Sequence, residues 1–270
     1  MDPAQTQAAR VELRAAVHDT RRRGLLYATK WAAEQLAGLP AAPAGAAAQA
    51  EGDSDVLVLA RSYFDLKEYR RAAHVLDQAR GDVTAGGGSC GQFVRCYALY
   101  LAGEKHKEED IAQSPSSQGV LMRPAVINEE LKALHEELSQ QRQAAGQGAL
   151  DGFLLYLLGL VQRGLNMKTE AIASLSESVA AYPCNWSAWQ ELSSLCADTD
   201  TVQRLQLPEH WTRTLFMAQL TSELQREVLP KAVIDQYSML EASLFPCESS
   251  EFCIKNEKIC IKITPRRGCF

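Results

Sequence analysis

The sequence lacks the charge excess that draws a chain to nucleic acid or an anionic membrane: 28 Lys and Arg against 33 Asp and Glu leave a formal net charge of -5. On that background the short run Arg21-Arg22-Arg23 reads as a solvated helix end rather than a phosphate patch. Long apolar runs are missing as well. The longest, around Phe153 to Val161, is far too short to span a bilayer, and the opening MDPAQTQAARVEL has neither the basic nor the apolar region of a secretory signal. A soluble intracellular protein is expected, with no membrane and no nucleic acid among its partners. Its eight cysteines (90, 96, 184, 196, 247, 253, 260 and 269) contain no CxxC pair, which favours free thiols over disulfides or structural zinc. The five histidines, at 18, 74, 106, 135 and 210, show no HExxH or other ligand spacing, so neither a metal nor another cofactor is expected. Asn185-Trp186-Ser187 fits a glycosylation sequon only formally, because an intracellular chain never meets that machinery.

Strand-like alternation is nearly absent before residue 240, whereas apolar residues recur at helical spacing, as in Leu154, Leu155, Leu158 and Val161 or Leu131, Leu134 and Leu138. The expected class is all-α. Residues 1–40 read as a helical hairpin, with helices around Val11 to Arg23 and Leu25 to Leu39, Gly24 at the turn and Pro40 as the stop. The Ala/Pro/Gly-biased stretch 41–54 reads as a linker.

Self-similarity organises the rest. Leu155, Leu158 and Gly159 recur 34 residues later as Trp189, Leu192 and Ser193. Upstream, Leu59, Ala60, Tyr63, Tyr69, Ala72, Leu76 and Ala79 keep the spacing of Leu158, Gly159, Gln162, Lys168, Ala171, Leu175 and Ser178, all offset by 99. Two antiparallel helices approach to about 8 Å only where the side chains at the crossing are small. Ala60 with Ala72, and Gly159 with Ala171, are placed to be those contacts. Pro183 ends one repeat, and Trp189 opens the next in the slot that Leu155 fills one period earlier.

A 34-residue helix-turn-helix period with large, large-small, aromatic and alanine positions and a late proline resembles the tetratricopeptide repeat. The segment VLARSYFDLKEYRRAAHVLDQA, ending at Ala79, matches it well. LYLLGLVQRGLNMKTEAIASLSESVAAYP, residues 155–183, is a second match, with Gln162 and Lys168 where aromatics are preferred. The unit begun at Trp186 loses its second-helix alanine in TDTVQRLQLPEHW, and FMAQLTSELQREVLPKAVIDQYSML is weaker still. The expected architecture is a right-handed superhelix of stacked hairpins: repeats with loop insertions over 55–150, repeats over 151–240, and an atypical tail over 241–270.

The order of features, TRRRGLLYATKWAAEQLAGLP, ARSYFDLKEYRRAAHVL, YALYLAGEKHKEED, LDGFLLYLLGL, WSAWQELSSL and LQLPEHW, resembles the amino-terminal part of the Cdc23-type tetratricopeptide subunit (subunit 8) of the anaphase-promoting complex. The non-repeat pieces KWAAEQLAGLP and YLAGEKHKEED make the resemblance specific. Three features depart from it: the glycine-rich connection GDVTAGGGSCG, a slip near Arg226 to Pro230, and the tail EASLFPCESSEFCIKNEKICIKITPRRGCF where the family continues with further repeats. The tail reads as a truncated isoform or an imperfect gene model. The resemblance implies a non-catalytic scaffold in a multisubunit ubiquitin ligase of mitotic control, in nucleus and cytoplasm. It also implies contacts with the other subunits and co-activator, and a homodimer through the amino-terminal repeats.

Two rival classes have their own residues. GGGSCG satisfies G-x-S-x-G around Ser89 and also G-x-G-x-x-G, but both motifs need a preceding strand and the residues before it, RRAAHVLDQARG, are helical, so a flexible glycine loop is expected. The other rival is a free-standing peptide-binding adaptor or co-chaperone. Tetratricopeptide grooves bind peptides through first-helix positions, here Leu57, Arg61 and Phe64, then Tyr156, Leu160 and Arg163. A clamp for a chaperone tail wants lysine and asparagine near Tyr156 and Leu160, and neither is present.

EKHKEED reads as a solvated loop. Ser114-Pro115 and Thr264-Pro265 are candidate proline-directed phosphorylation sites or plain loop dipeptides. In the tail, Phe252 and Ile254 with Ile259, Ile261 and Ile263 allow a short hairpin, with disorder as the alternative.

Overall fold

The structure, a computed structural model, describes residues 2–40, 53–79, 87–113, 127–145, 150–196, 205, 207–223, 239, 252–255 and 258–261. All of the expected linker but Asp53 and Ser54, the dipeptides Ser114-Pro115 and Thr264-Pro265, most of TDTVQRLQLPEHW before Leu207 and the stretch from Leu224 to Ser238 lie outside them. The described residues are helical apart from one antiparallel hairpin in the tail, where Phe252–Lys255 (β1) pairs with Lys258–Ile261 (β2) in the register Phe252 to Ile261. The helices are α1 (Pro3–Arg22), α2 (Leu26–Gly38), α3 (Asp55–Asp65), α4 (Tyr69–Gln78), α5 (Gly88–Gln113), α6 (Glu130–Ala145), α7 (Gly152–Gly164), α8 (Lys168–Ala181), α9 (Trp186–Leu195) and α10 (Trp211–Glu223). They form helical hairpins of the tetratricopeptide type within two compact units, Met1–Glu137 and Leu138–Phe270.

The hairpin turns share one mechanism. Lys67 and Asn166 both adopt left-handed φ, 60° and 61°. Lys67 N–H donates to Phe64 O and Glu68 N–H to Tyr63 O, both at 2.9 Å; Asn166 N–H donates to Arg163 O at 3.0 Å and Met167 N–H to Gln162 O at 2.9 Å. This nested pair of bonds satisfies the last carbonyls of the first helix and reverses the chain. Gly24, with φ 71°, closes α1 onto α2 through the same two bonds, to Arg21 O and Thr20 O at 3.0 Å. The helix starts are fixed separately: Ser54 Oγ accepts from Leu57 N–H at 3.1 Å, and Asp151 Oδ1 accepts from Phe153 and Leu154 N–H at 3.1 and 2.8 Å.

In the first unit, Val17, Ala32, Ala33, Leu59, Tyr63, Ala72, Ala73 and Ala98 form a core in which α1 to α5 all take part. Ala60 packs beside it with Leu57 and Leu76. Ala60 and Ala72 are fully buried. The long helix α5 ends this unit's packing with a close approach. A Cβ on Gly103 would fall 1.8 Å from the Asn128 Oδ1, so only glycine leaves room for that side chain. Asn128 in turn donates to Tyr100 O at 3.1 Å and accepts from Glu130 N–H at 3.0 Å, capping α6.

In the second unit α7 is apolar almost all round and buries ten residues from Gly152 to Gln162. It crosses α8 where a Cβ on Gly159 would meet Leu175 Cγ at 2.6 Å, beside the Ala171 carbonyl at 3.5 Å. Ser178 Oγ donates to Gly152 O at 2.6 Å and ties the far ends together. α8 stops at Ala181, two residues before Pro183. Trp189 is fully buried, its indole N–H donates to the Pro183 carbonyl at 2.8 Å, and its ring lies 5.0 Å from Phe216 of α10. One tryptophan thus joins the end of one hairpin to the next two helices.

Three expected boundaries move. α1 begins at Pro3 rather than near Val11, because proline at the first helical position has no N–H to lose. EKHKEED is not a loop but the last exposed turns of α5, where His106 meets Asp110 at 3.0 Å and Lys105 meets Glu109 at 4.0 Å at i,i+4 spacing. Ser89 and Gly91 are likewise not in a glycine loop: they belong to the first turn of α5, which starts at Gly88, directly after Gly87.

Candidate functional site

The polar groups of the first unit lock its two hairpins. Tyr63 Oη donates to Glu34 Oε1 at 2.9 Å while Arg71 donates to the Tyr63 oxygen at 3.0 Å and lies 4.2 Å above its ring. Burial, and after it the bond to Glu34, raise the Tyr63 phenol above its ordinary range. Lys30 donates to Glu68 at 2.7 Å, and that bond holds the Glu68 carboxyl below the usual range. Arg10 and Arg14 of α1 both reach Asp55 at the start of α3. These contacts make α1 to α4 a rigid platform for whatever binds on it.

A groove of about 560 Å³ runs along that platform. Arg14, His18 and Arg21 line it from α1 and Val58, Ser62 and Asp65 from α3. Arg21 pairs with Asp65 at 3.2 Å across it. Mixed charges over an apolar floor of Val17 and Val58 suit an extended peptide better than a single ion.

The residues expected to face a groove fall elsewhere. Leu57 is 2% exposed and packs on Ala60 and Leu76; the groove takes Val58, Ser62 and Asp65, one helical step of about 100° away. Arg61 is half-buried, pairs with Asp53 and donates to Cys90 Sγ at 3.0 Å. Phe64 lies between Tyr69 at 5.4 Å and Tyr97 at 5.9 Å. On α7, Tyr156 and Leu160 are buried, which corrects their expected place on an open surface, and Arg163 pairs with Glu191 of α9. Periodicity shows which positions share a helix face but not which of two apolar faces the neighbouring helix covers.

One surface escaped the sequence altogether. On α2, Tyr27 is 80% exposed and Trp31 60% exposed, one turn apart on the same face, with Leu25 exposed just before them. Their i,i+4 spacing is the signal, but aromatics at that spacing ordinarily mark a core.

The model of the family "Anaphase promoting complex subunit 8 / Cdc23" matches residues 8–256 of the chain. The chain belongs to the anaphase-promoting complex subunit 8/Cdc23 family. It is 36% identical over 260 residues to anaphase-promoting complex subunit 8 of Arabidopsis thaliana, covering 81% of this chain and 43% of that protein. It is 39% identical over 213 residues to the cell division cycle protein 23 homolog of Mus musculus, covering 76% and 34%. Against subunit 8 of Dictyostelium discoideum the identity is 30% over 286 residues, covering 85% and 47%. The chain therefore spans less than half the length of these Cdc23 relatives. The Cdc23 match takes in the groove, the exposed face of α2 and the Gly103–Asn128 seat alike. Among the described residues, no helix is long and apolar enough to cross a membrane.

Proposed function

We propose that the chain is a non-catalytic scaffold subunit of the anaphase-promoting complex/cyclosome, a multisubunit E3 ubiquitin ligase controlling mitotic progression in nucleus and cytoplasm. The family match over residues 8–256 carries the reading. Its helical hairpins offer partner surfaces: the groove between α1 and α3 for an extended segment of another subunit or of co-activator, and the α2 face for a second copy of the chain. Two large aromatics held out into solvent one turn apart are what a partner face buries. Ser89 lies in the first turn of α5. Gel filtration of extracts from dividing cells tests the reading. The tagged chain is expected in a high-mass fraction with ubiquitin-ligase activity; elution solely as free protein overturns it.

A further inference from the structure

A second concavity, of about 490 Å³, opens at the turn of the α3–α4 hairpin and shares no lining residue with the α1–α3 groove. One wall is the turn and first turn of α4, with Lys67, Arg70 and Arg71. The other is a single face of α5, where Ala102, Lys105, His106 and Glu109 follow at i, i+3, i+4 and i+7. Ala102, being small, leaves the floor open between the walls. The lining holds four permanent cations against the carboxylates of Glu68 and Glu109. Arg70 meets Glu130 at 3.1 Å and Lys105 reaches Glu109 only at 4.0 Å, and such exposed pairs exchange partners readily. Lys67 pairs with no carboxylate among the described residues.

We propose that this cleft binds the phosphate of a phosphorylated serine or threonine on a partner peptide. A phosphate dianion presents three acceptor oxygens and close to two charges, enough to meet Lys67 and Arg70 on one wall and Lys105 on the other at once. A lone carboxylate satisfies one wall and leaves the opposite cation facing it. The side chains concerned are accessible: Arg70 is 67% exposed and Lys105 54%. The site is independent of the scaffold reading, since it rests on charge and shape within one unit of the chain.

The test titrates the isotope-labelled full chain with a glycine-flanked phosphoserine pentapeptide and follows backbone amide shifts. The serine and glutamate versions of the peptide serve as comparisons. Saturable shifts confined to residues 67–71 and 102–109 are expected, with the phosphopeptide binding at least tenfold tighter than either comparison. Lys67→Asn with Lys105→Gln is expected to weaken binding at least tenfold without moving the melting temperature, because Asn166 already occupies the same left-handed turn position in the α7–α8 hairpin. Should that pair of changes disturb the fold, Arg70→Gln, at a largely exposed side chain, carries the same expectation. Shifts centred elsewhere, equal binding of the serine or glutamate peptide, or unchanged affinity in the folded variants overturns the proposal.

Discussion

Gly159 of α7 lies against Leu175 of α8 so closely that a single added methyl would sit 2.6 Å from the leucine Cγ. That contact sets the spacing of the α7–α8 hairpin. Gly159→Ala gains up to about 1 kcal/mol of helix propensity but overpacks the crossing by roughly 1 to 3 kcal/mol, so net destabilisation is expected. Ala171→Leu, at the buried partner position, is expected to cost about 1 to 3 kcal/mol without any compensating propensity gain. Chemical denaturation of the full chain measures both. Wild-type stability in the Ala171 variant contradicts the crossing.

The turns make a separate prediction. Lys67 and Asn166 hold φ near 60°, where a β-branched side chain is strained. Lys67→Val and Asn166→Val are each expected to cost about 1 to 2 kcal/mol, whereas Asn166→Gly is expected to be near neutral. Equal stability of the valine and glycine variants in urea melts rules out the left-handed turn.

Much of this was legible before the structure. Ala60, Ala72, Gly159, Ala171 and Trp189 stand out because small and large residues recur at fixed spacing, and helix crossings demand that pattern. What was not legible depends on neighbours. Leu57 and Val58 are both apolar, and only the packing of Leu76 shows which one turns inward. Glycines at 86 to 88 suggest a loop, yet from Gly88 the chain is already in the first turn of a 26-residue helix. Tyr27 and Trp31 look like core until α2 is seen to turn them outward.

The Lys30 ammonium holds the Glu68 carboxyl below its usual range. A depressed folded pKa gives stability that is fully present above the unfolded value of about 4.3 and lost as pH falls through the folded one. Glu68→Gln is therefore expected to lower stability at neutral pH and to flatten its decline in acid. Urea melts across the acid range check this; an unchanged slope would falsify the Lys30–Glu68 linkage.

Trp31 provides the test of self-association. Because its side chain is largely exposed, Trp31→Glu is expected to leave the thermal melt in place while converting a dimer to a monomer in analytical ultracentrifugation. A dimer that survives the change places the contact elsewhere.

The central claim, a scaffold of the anaphase-promoting complex, is tested most directly by affinity purification of the tagged full chain from dividing cells with quantitative mass spectrometry. The account predicts enrichment of several other subunits of that complex together with an untagged second copy. Recovery of the chain without any of those subunits contradicts it.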